Sequence, residues 1–113
     1  MPTYASFFRL ASGTIAAAMK TPTDRAAAVE RLVAEAGGHL ESYYWMFGEY
    51  DGFGIIEVPD SKAVAALALA ITSTGAFSAF VTHELIPAAE INDRLAEAKR
   101  LSAVYTPPGV QPG

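Results

Sequence analysis

The stretch His39–Val58, HLESYYWMFGEYDGFGIIEV, decides the fold. Its first nine residues, His39 to Phe47, are rich in aromatics, and Phe53 to Val58 is a second β-prone run. Between them, Gly48-Glu49-Tyr50-Asp51-Gly52 brings together residues that tolerate the positive φ of tight antiparallel turns. The segment therefore predicts a β-hairpin. Under strict alternation, His39, Glu41, Tyr43, Trp45 and Phe47 share one face, and Leu40, Ser42, Tyr44 and Met46 the other. Both faces carry bulk. Gly52 and Gly54 fall on one side of the second strand, where a helix gains room for close approach, and Pro59 ends the run.

Working upstream, Gly37-Gly38 closes a helix whose stripe is Ala26, Val29, Leu32, Val33 and Ala36. Thr21 is the expected N-cap of that helix, with Pro22 at its first position and Asp24 three residues after the cap. Arg25, Glu30, Arg31 and Glu35 lie largely off the stripe. Thr3 to Leu10 reads as a first strand with Phe7 and Phe8 on opposite faces, and Thr14 to Lys20 as a short helix. Downstream, Asp60 or Ser61 caps an alanine-rich helix running to about Thr72, and Phe77 to Ile86 is a fourth strand closed by Pro87. Ala88 to Ser102 has Ile91, Leu95, Ala98 and Leu101 at helical spacing. The expected organisation is one α+β domain over 1–87, a C-terminal helix over 88–105 packing on the domain or a partner, and a flexible tail over 106–113.

The order strand, helix, strand, strand, helix, strand is that of a split βαβ, or ferredoxin-like, fold: a four-stranded antiparallel sheet in the order 4-1-3-2 with helices on one face. An antiparallel sheet that faces water on its other side carries polar residues there. Here aromatic and aliphatic residues occupy both parities of strands one, two and four. A second copy packed sheet to sheet about a twofold axis covers such a face, giving a dimeric α/β barrel. The competing arrangement folds the C-terminal helix back over its own sheet.

Composition narrows the function classes. With 113 residues and 51% apolar side chains, the chain is long enough for one core. It has no cysteine, which excludes thiolate metal sites and thiol nucleophiles. A formal charge of -4 offers no field for a polyanion, so no nucleic-acid partner is expected. No apolar run reaches the roughly 18 residues of a membrane span, so no membrane partner is expected either. The cytoplasm is the default compartment. A mean hydropathy of +0.23 is high for a soluble monomer and fits an apolar surface hidden by self-association, as a homodimer or higher oligomer.

Several of these residues, taken in order, resemble the GYD-domain family of small bacterial proteins, within the dimeric α/β-barrel superfamily. They are Leu10 and Gly13, Pro22 and Arg25, Gly37-Gly38, Tyr43 or Tyr44, Gly48-x-Tyr50-Asp51, and Pro59-Asp60, spread over most of positions 3 to 75. The resemblance implies the dimeric barrel and no particular reaction, because related barrels host oxygenases, isomerases, haem enzymes and ligand sensors. Relatives tend to have a polar fourth strand, whereas here Ala76 to Thr82 reads AFSAFVT.

His39 and His83 are the only side chains with ordinary pKa values near neutrality. They lie on opposite edge strands, so they meet only across a twofold axis, if at all. No His-x-His or His-x3-His spacing accompanies them, and no metal or other cofactor is called for. His83, on an otherwise apolar parity, is the better general base, with Tyr43 as its catalytic partner. Trp45 and Tyr50 are expected to stack on a planar ligand. Glu57, mid-strand beside Phe53 and Ile55, needs a partner such as Arg9, and both join the ligand-contact set. Asp51 is expected to fix the hairpin by accepting backbone N–H bonds. The leading expectation is a pocket between sheet and helices for a small apolar or aromatic metabolite, with any chemistry being cofactor-free acid–base or oxygenase work. The alternative is a non-catalytic oligomerisation module whose pocket is collapsed.

Overall fold

The computed structural model describes residues 1–113. Strand β1 (Thr3–Leu10) is followed by helices α1 (Thr14–Lys20) and α2 (Arg25–Glu35), then by β2 (His39–Trp45) and β3 (Gly52–Glu57). Helix α3 (Ser61–Thr72), β4 (Phe77–Leu85), a short 3-10 turn (Ala88–Glu90) and α4 (Ile91–Ser102) complete the chain. The sheet is antiparallel in the order β2-β3-β1-β4, the ferredoxin-like arrangement. No helix is long and apolar enough to cross a membrane.

Local chemistry accounts for the helix starts. Asp60 caps α3 by accepting the Ala63 N–H at 2.9 Å. Asp24 does the same for α2, accepting the Ala27 N–H at 3.0 Å. The cap of α2 is thus Asp24, not Thr21. An aspartate one residue before Arg25 reaches the third amide of the helix directly, so Thr21 and Pro22 stay in the preceding turn.

Two β-bulges set the side-chain faces. In β2, Leu40 faces Ile56 and Ser42 faces Ile55, leaving Glu41 as an extra residue. In β4, Ala79 faces Arg9 and Phe77 faces Leu10, leaving Ser78 as the extra one. Each bulge inverts the alternation beyond it. His39 therefore lies on the face opposite Tyr43 and Trp45, and Phe77 joins Phe80 rather than Ala79, Val81 and His83.

The helix-side face carries Tyr4, Leu40 and Ile56, which pack with Val33 of α2, Leu67 of α3 and Val58. That core fills one end of the layer between sheet and helices. Val33 and Val58 are its most deeply buried side chains. Toward the other end the sheet presents Phe8, with Tyr43, Trp45 and Phe77 around it at ring separations of 5.6 to 5.8 Å. Gly52 makes this grouping possible, since a Cβ there would sit 2.5 Å from Phe8 Cζ and 2.6 Å from the Tyr44 carbonyl oxygen. The room left by Gly52 and Gly54 is taken by Phe8, Leu40 and Tyr43 rather than by a helix.

The opposite face is open. Tyr44 stacks on Phe53 at 5.5 Å and Phe53 on Phe7 at 5.3 Å, an aromatic ladder across three strands. Helix α4 does not cover it: all twelve of its residues are exposed, including Ile91, Leu95 and Leu101. The radius of gyration is 18.3 Å, against about 13 Å for a compact chain of this length, because the C-terminal arm stands away from the domain.

Candidate functional site

The hollow end of the sheet–helix layer is a cavity of about 560 Å³. Phe8, Tyr43, Trp45, Phe77 and Phe80 form its floor, small residues such as Ala17, Ala28 and Ala68 supply its helical wall, and 19 of its 26 lining residues are hydrophobic. Short helix side chains opposite large rings leave a gap that neither side fills, which is how an alanine-rich wall makes a void. Polar atoms are few. Ser6 and Thr82, cross-strand partners, spend their hydroxyls on each other at 2.8 Å. The Tyr43 phenol lines the void, and burial pushes its pKa above the ordinary 10.0 while the nearby Arg25 guanidinium opposes the rise. Arg25 is the single charged residue of the lining.

Of the residues singled out in the sequence, Tyr43 and Trp45 meet at this cavity. His83 does not. It lies on the open face, edge-on to Phe7 at 6.2 Å, so the sheet separates it from Tyr43 and the two do not form one acid–base pair. Glu57 is also on the open face, where its partner is His39 at 3.9 Å rather than Arg9. The pairing follows from register, because His39 and Glu57 face each other directly across β2 and β3.

Arg9 and Tyr50 meet elsewhere, at the hairpin. The Arg9 Nε donates to the Glu49 carbonyl at 2.7 Å, and its guanidinium lies 5.5 Å from the Tyr50 ring centre. Tyr50 in turn packs against Phe7 at 5.7 Å. The Asp51 carboxylate accepts the Leu10 N–H at 2.8 Å, and the Asp51 N–H donates to the Phe8 carbonyl at 2.8 Å. Asp51 therefore accepts a backbone N–H as expected, but from β1 and not from its own hairpin. Within the turn Gly48 has φ +124°, the left-handed side of the map, whereas Gly52 is an ordinary strand residue. Gly48-x-Tyr50-Asp51 is thus a clamp that fastens the hairpin to the end of β1.

Sequence reasoning passed over Phe8, Phe77, Phe80 and Arg25 as cavity residues. The first three needed the register to reveal them. Arg25 carried a legible signal, since a cation in the first turn of a helix opposes the helix dipole and invites another explanation.

Comparison with known proteins gives a consistent picture. The GYD domain family model matches residues 4–95. No curated protein matches. Among solved structures, one described as the crystal structure of FFRP-DM1 aligns with a TM-score of 0.51 at 19% identity, covering 76% of this chain and 100% of that one. At that identity the likeness concerns the fold alone. The clamp Gly48-x-Tyr50-Asp51, the antiparallel sheet that it fastens and a family match spanning most of the sequence lead to one conclusion: the chain belongs to the GYD-domain family.

Proposed function

We infer that this protein binds a small apolar or aromatic metabolite in the cavity between its sheet and helices, and does so as a homodimer. The cavity carries the ligand reading: about 560 Å³, lined mainly by hydrophobic side chains, is in the range of small-molecule sites. The alternative of an oligomerisation module with a collapsed pocket fits such a void poorly. The lining has no carboxylate, imidazole or amine, which favours holding a ligand over turning it over. Cofactor-free proton transfer or oxygenation, if the family member carries it out, falls to Tyr43 rather than to His83.

Self-association rests on the open face. Nine of 113 residues are buried in the single chain, while Tyr44, Leu85 and the α4 residues Ile91, Leu95 and Leu101 are exposed. A second sheet stacked about 10 Å away covers the Phe7-Phe53-Tyr44 ladder, and an α4 arm of that length reaches a neighbouring subunit. The twofold barrel supplies both contacts at once.

Native mass spectrometry of protein purified without added ligand, followed by the same measurement after Ala68→Phe has filled the cavity, tests the ligand reading. A co-purifying small molecule present in the first and absent from the second is expected. Protein that carries no adduct and leaves Trp45 emission unchanged on titration with apolar aromatic probes overturns it.

A further inference from the structure

We propose that the ligand is an amphipathic monocarboxylate, its apolar or aromatic body lying on the Phe8-Tyr43-Trp45-Phe77 floor and its carboxylate held at the rim by Arg25. This rests on the cavity being a ligand site and adds the chemistry of the ligand's polar end.

The charge distribution of the lining carries the inference. Arg25 is its only charged residue, in a protein whose formal charge is -4. Arg9, Arg94 and Arg100 each lie against a glutamate, whereas Arg25 and Arg31 are in no ion pair, and of these two only Arg25 lines the cavity, its one side-chain hydrogen bond being a long 3.4 Å contact to Thr23 Oγ1. The adjacent carboxylate, Asp24, is engaged with the Ala27 N–H. Arg25 is also the first residue of α2, an eleven-residue helix with no acidic residue in its first turn, so the guanidinium adds to the positive end of the helix dipole. Helix stability alone disfavours a cation there. The Asp24 carboxylate already caps this helix end, so the charge left unmet is that of the guanidinium, which a bound anion neutralises.

Tyr43 supplies the second polar group. Its hydroxyl has no hydrogen-bond partner within the protein, lines the same cavity and lies within the electrostatic reach of Arg25. A protonated phenol donates to one carboxylate oxygen while the guanidinium fork takes the carboxylate as a charged acceptor. Elsewhere in the lining Ser6, Thr14 and Thr74 spend their hydroxyls on Thr82, Ala76 and Ile71, and no other charged residue is present, which keeps the anion at the Arg25 end of the molecule. A dianion or a sugar acid would leave charge or hydroxyl groups against the aromatic floor.

A matched pair of probes tests this: 2-naphthoate and 2-naphthalenemethanol, followed by Trp45 fluorescence and isothermal titration at neutral pH. The carboxylate is expected to bind at least ~10-fold more tightly than the alcohol, since a charge-assisted pair is stronger than a neutral hydrogen bond. Arg25→Gln should abolish that preference by weakening carboxylate binding at least ~10-fold more than alcohol binding, and Tyr43→Phe should weaken carboxylate binding less than Arg25→Gln does. Arg25 is exposed, so the variant is expected to fold, and its circular dichroism spectrum checks this. Equal binding of both probes by the wild-type protein, or a preference that survives in Arg25→Gln, overturns the proposal and leaves the apolar pocket standing. Failure of both probes to bind overturns the pocket reading together with it.

Discussion

The Asp51 carboxylate lies 2.8 Å from the backbone nitrogen of Leu10 and accepts its hydrogen bond across 41 positions of sequence. With the reciprocal bond from the Asp51 N–H to the Phe8 carbonyl, it joins the hairpin turn to the end of the central strand. The aspartate of Gly48-x-Tyr50-Asp51 is therefore explained by closure of the sheet end. Asp51→Ala removes a charged acceptor from a partly buried amide, and should cost about 1–3 kcal/mol in urea unfolding. Asp51→Asn keeps an acceptor oxygen and should lose less. Equal stability of wild type and Asp51→Ala would contradict the clamp.

The two strand glycines give a controlled comparison. At Gly52 an added methyl meets Phe8 Cζ at 2.5 Å and a backbone carbonyl at 2.6 Å, whereas at Gly54 the nearest atoms are 3.6 Å away. Gly52→Ala is expected to destabilise by about 1–3 kcal/mol and Gly54→Ala by less than about 1 kcal/mol. Chemical denaturation of the pair decides this, and a reversed order would mean that Phe8 does not occupy the space above Gly52.

Subunit association is tested on the open face. Phe53 stacks between Phe7 and Tyr44 at the centre of the ladder. Sedimentation of the wild-type protein at micromolar concentration should give twice the chain mass of 11.9 kDa, and Phe53→Glu should shift it to single chains with the far-ultraviolet spectrum retained. A wild-type protein that sediments as a single chain removes the basis for the barrel.

The C-terminal arm makes a separable prediction. Ending the chain at Pro87 deletes residues that are all exposed in the single chain, so the domain's own stability should change by no more than about 0.5 kcal/mol once dissociated. If α4 grips a neighbour, the same deletion weakens association in sedimentation equilibrium. Unchanged association would restrict the interface to the sheet.

Alkaline pH reports on the cavity floor. Burial raises the Tyr43 pKa above 10.0, and burial together with Glu84 raises that of Tyr4, which is 4% exposed and faces Glu84 across β1 and β4. A group whose folded pKa is raised contributes stability that is complete below its unfolded pKa and is lost as pH rises through the folded value. Unfolding free energy should therefore fall as pH climbs beyond 10.0, and Tyr43→Phe should flatten part of that loss. Urea unfolding as a function of pH, with phenolate absorbance read in parallel, measures both.

Element order, strand ends and most helix ends were legible in the sequence because proline, glycine and aspartate punctuate it. Thr3–Leu10, Thr14–Lys20 and Ser61–Thr72 coincide with the expected bounds, and the sheet order follows from them. The faces of β2 and β4 were not legible. Nothing in the chemistry of Glu41 or Ser78 marks either as a bulge, because the extra residue is defined by the partner strand's register and not by its own side chain. That is why His39 and Tyr43 share a face on paper and lie on opposite sides of the sheet. The cavity was expected between sheet and helices, and Tyr43 and Trp45 were on its list, but Arg9, Tyr50, Glu57 and His83 are distributed over the hairpin and the open face. Glu57 found the histidine opposite it, since Glu57 pairs with Thr3 at the far end of β1, roughly 20 Å from Arg9 along the strand.

The bulge at Glu41 also governs how relatives of this chain can diverge. Removing that one residue would leave a regular ladder with the same partners, Leu40 opposite Ile56 and Ser42 opposite Ile55, so Tyr43 and Trp45 would still face the cavity. Strand β2 thus carries one residue of slack, and a lineage of this fold can lose it there without rebuilding the aromatic floor.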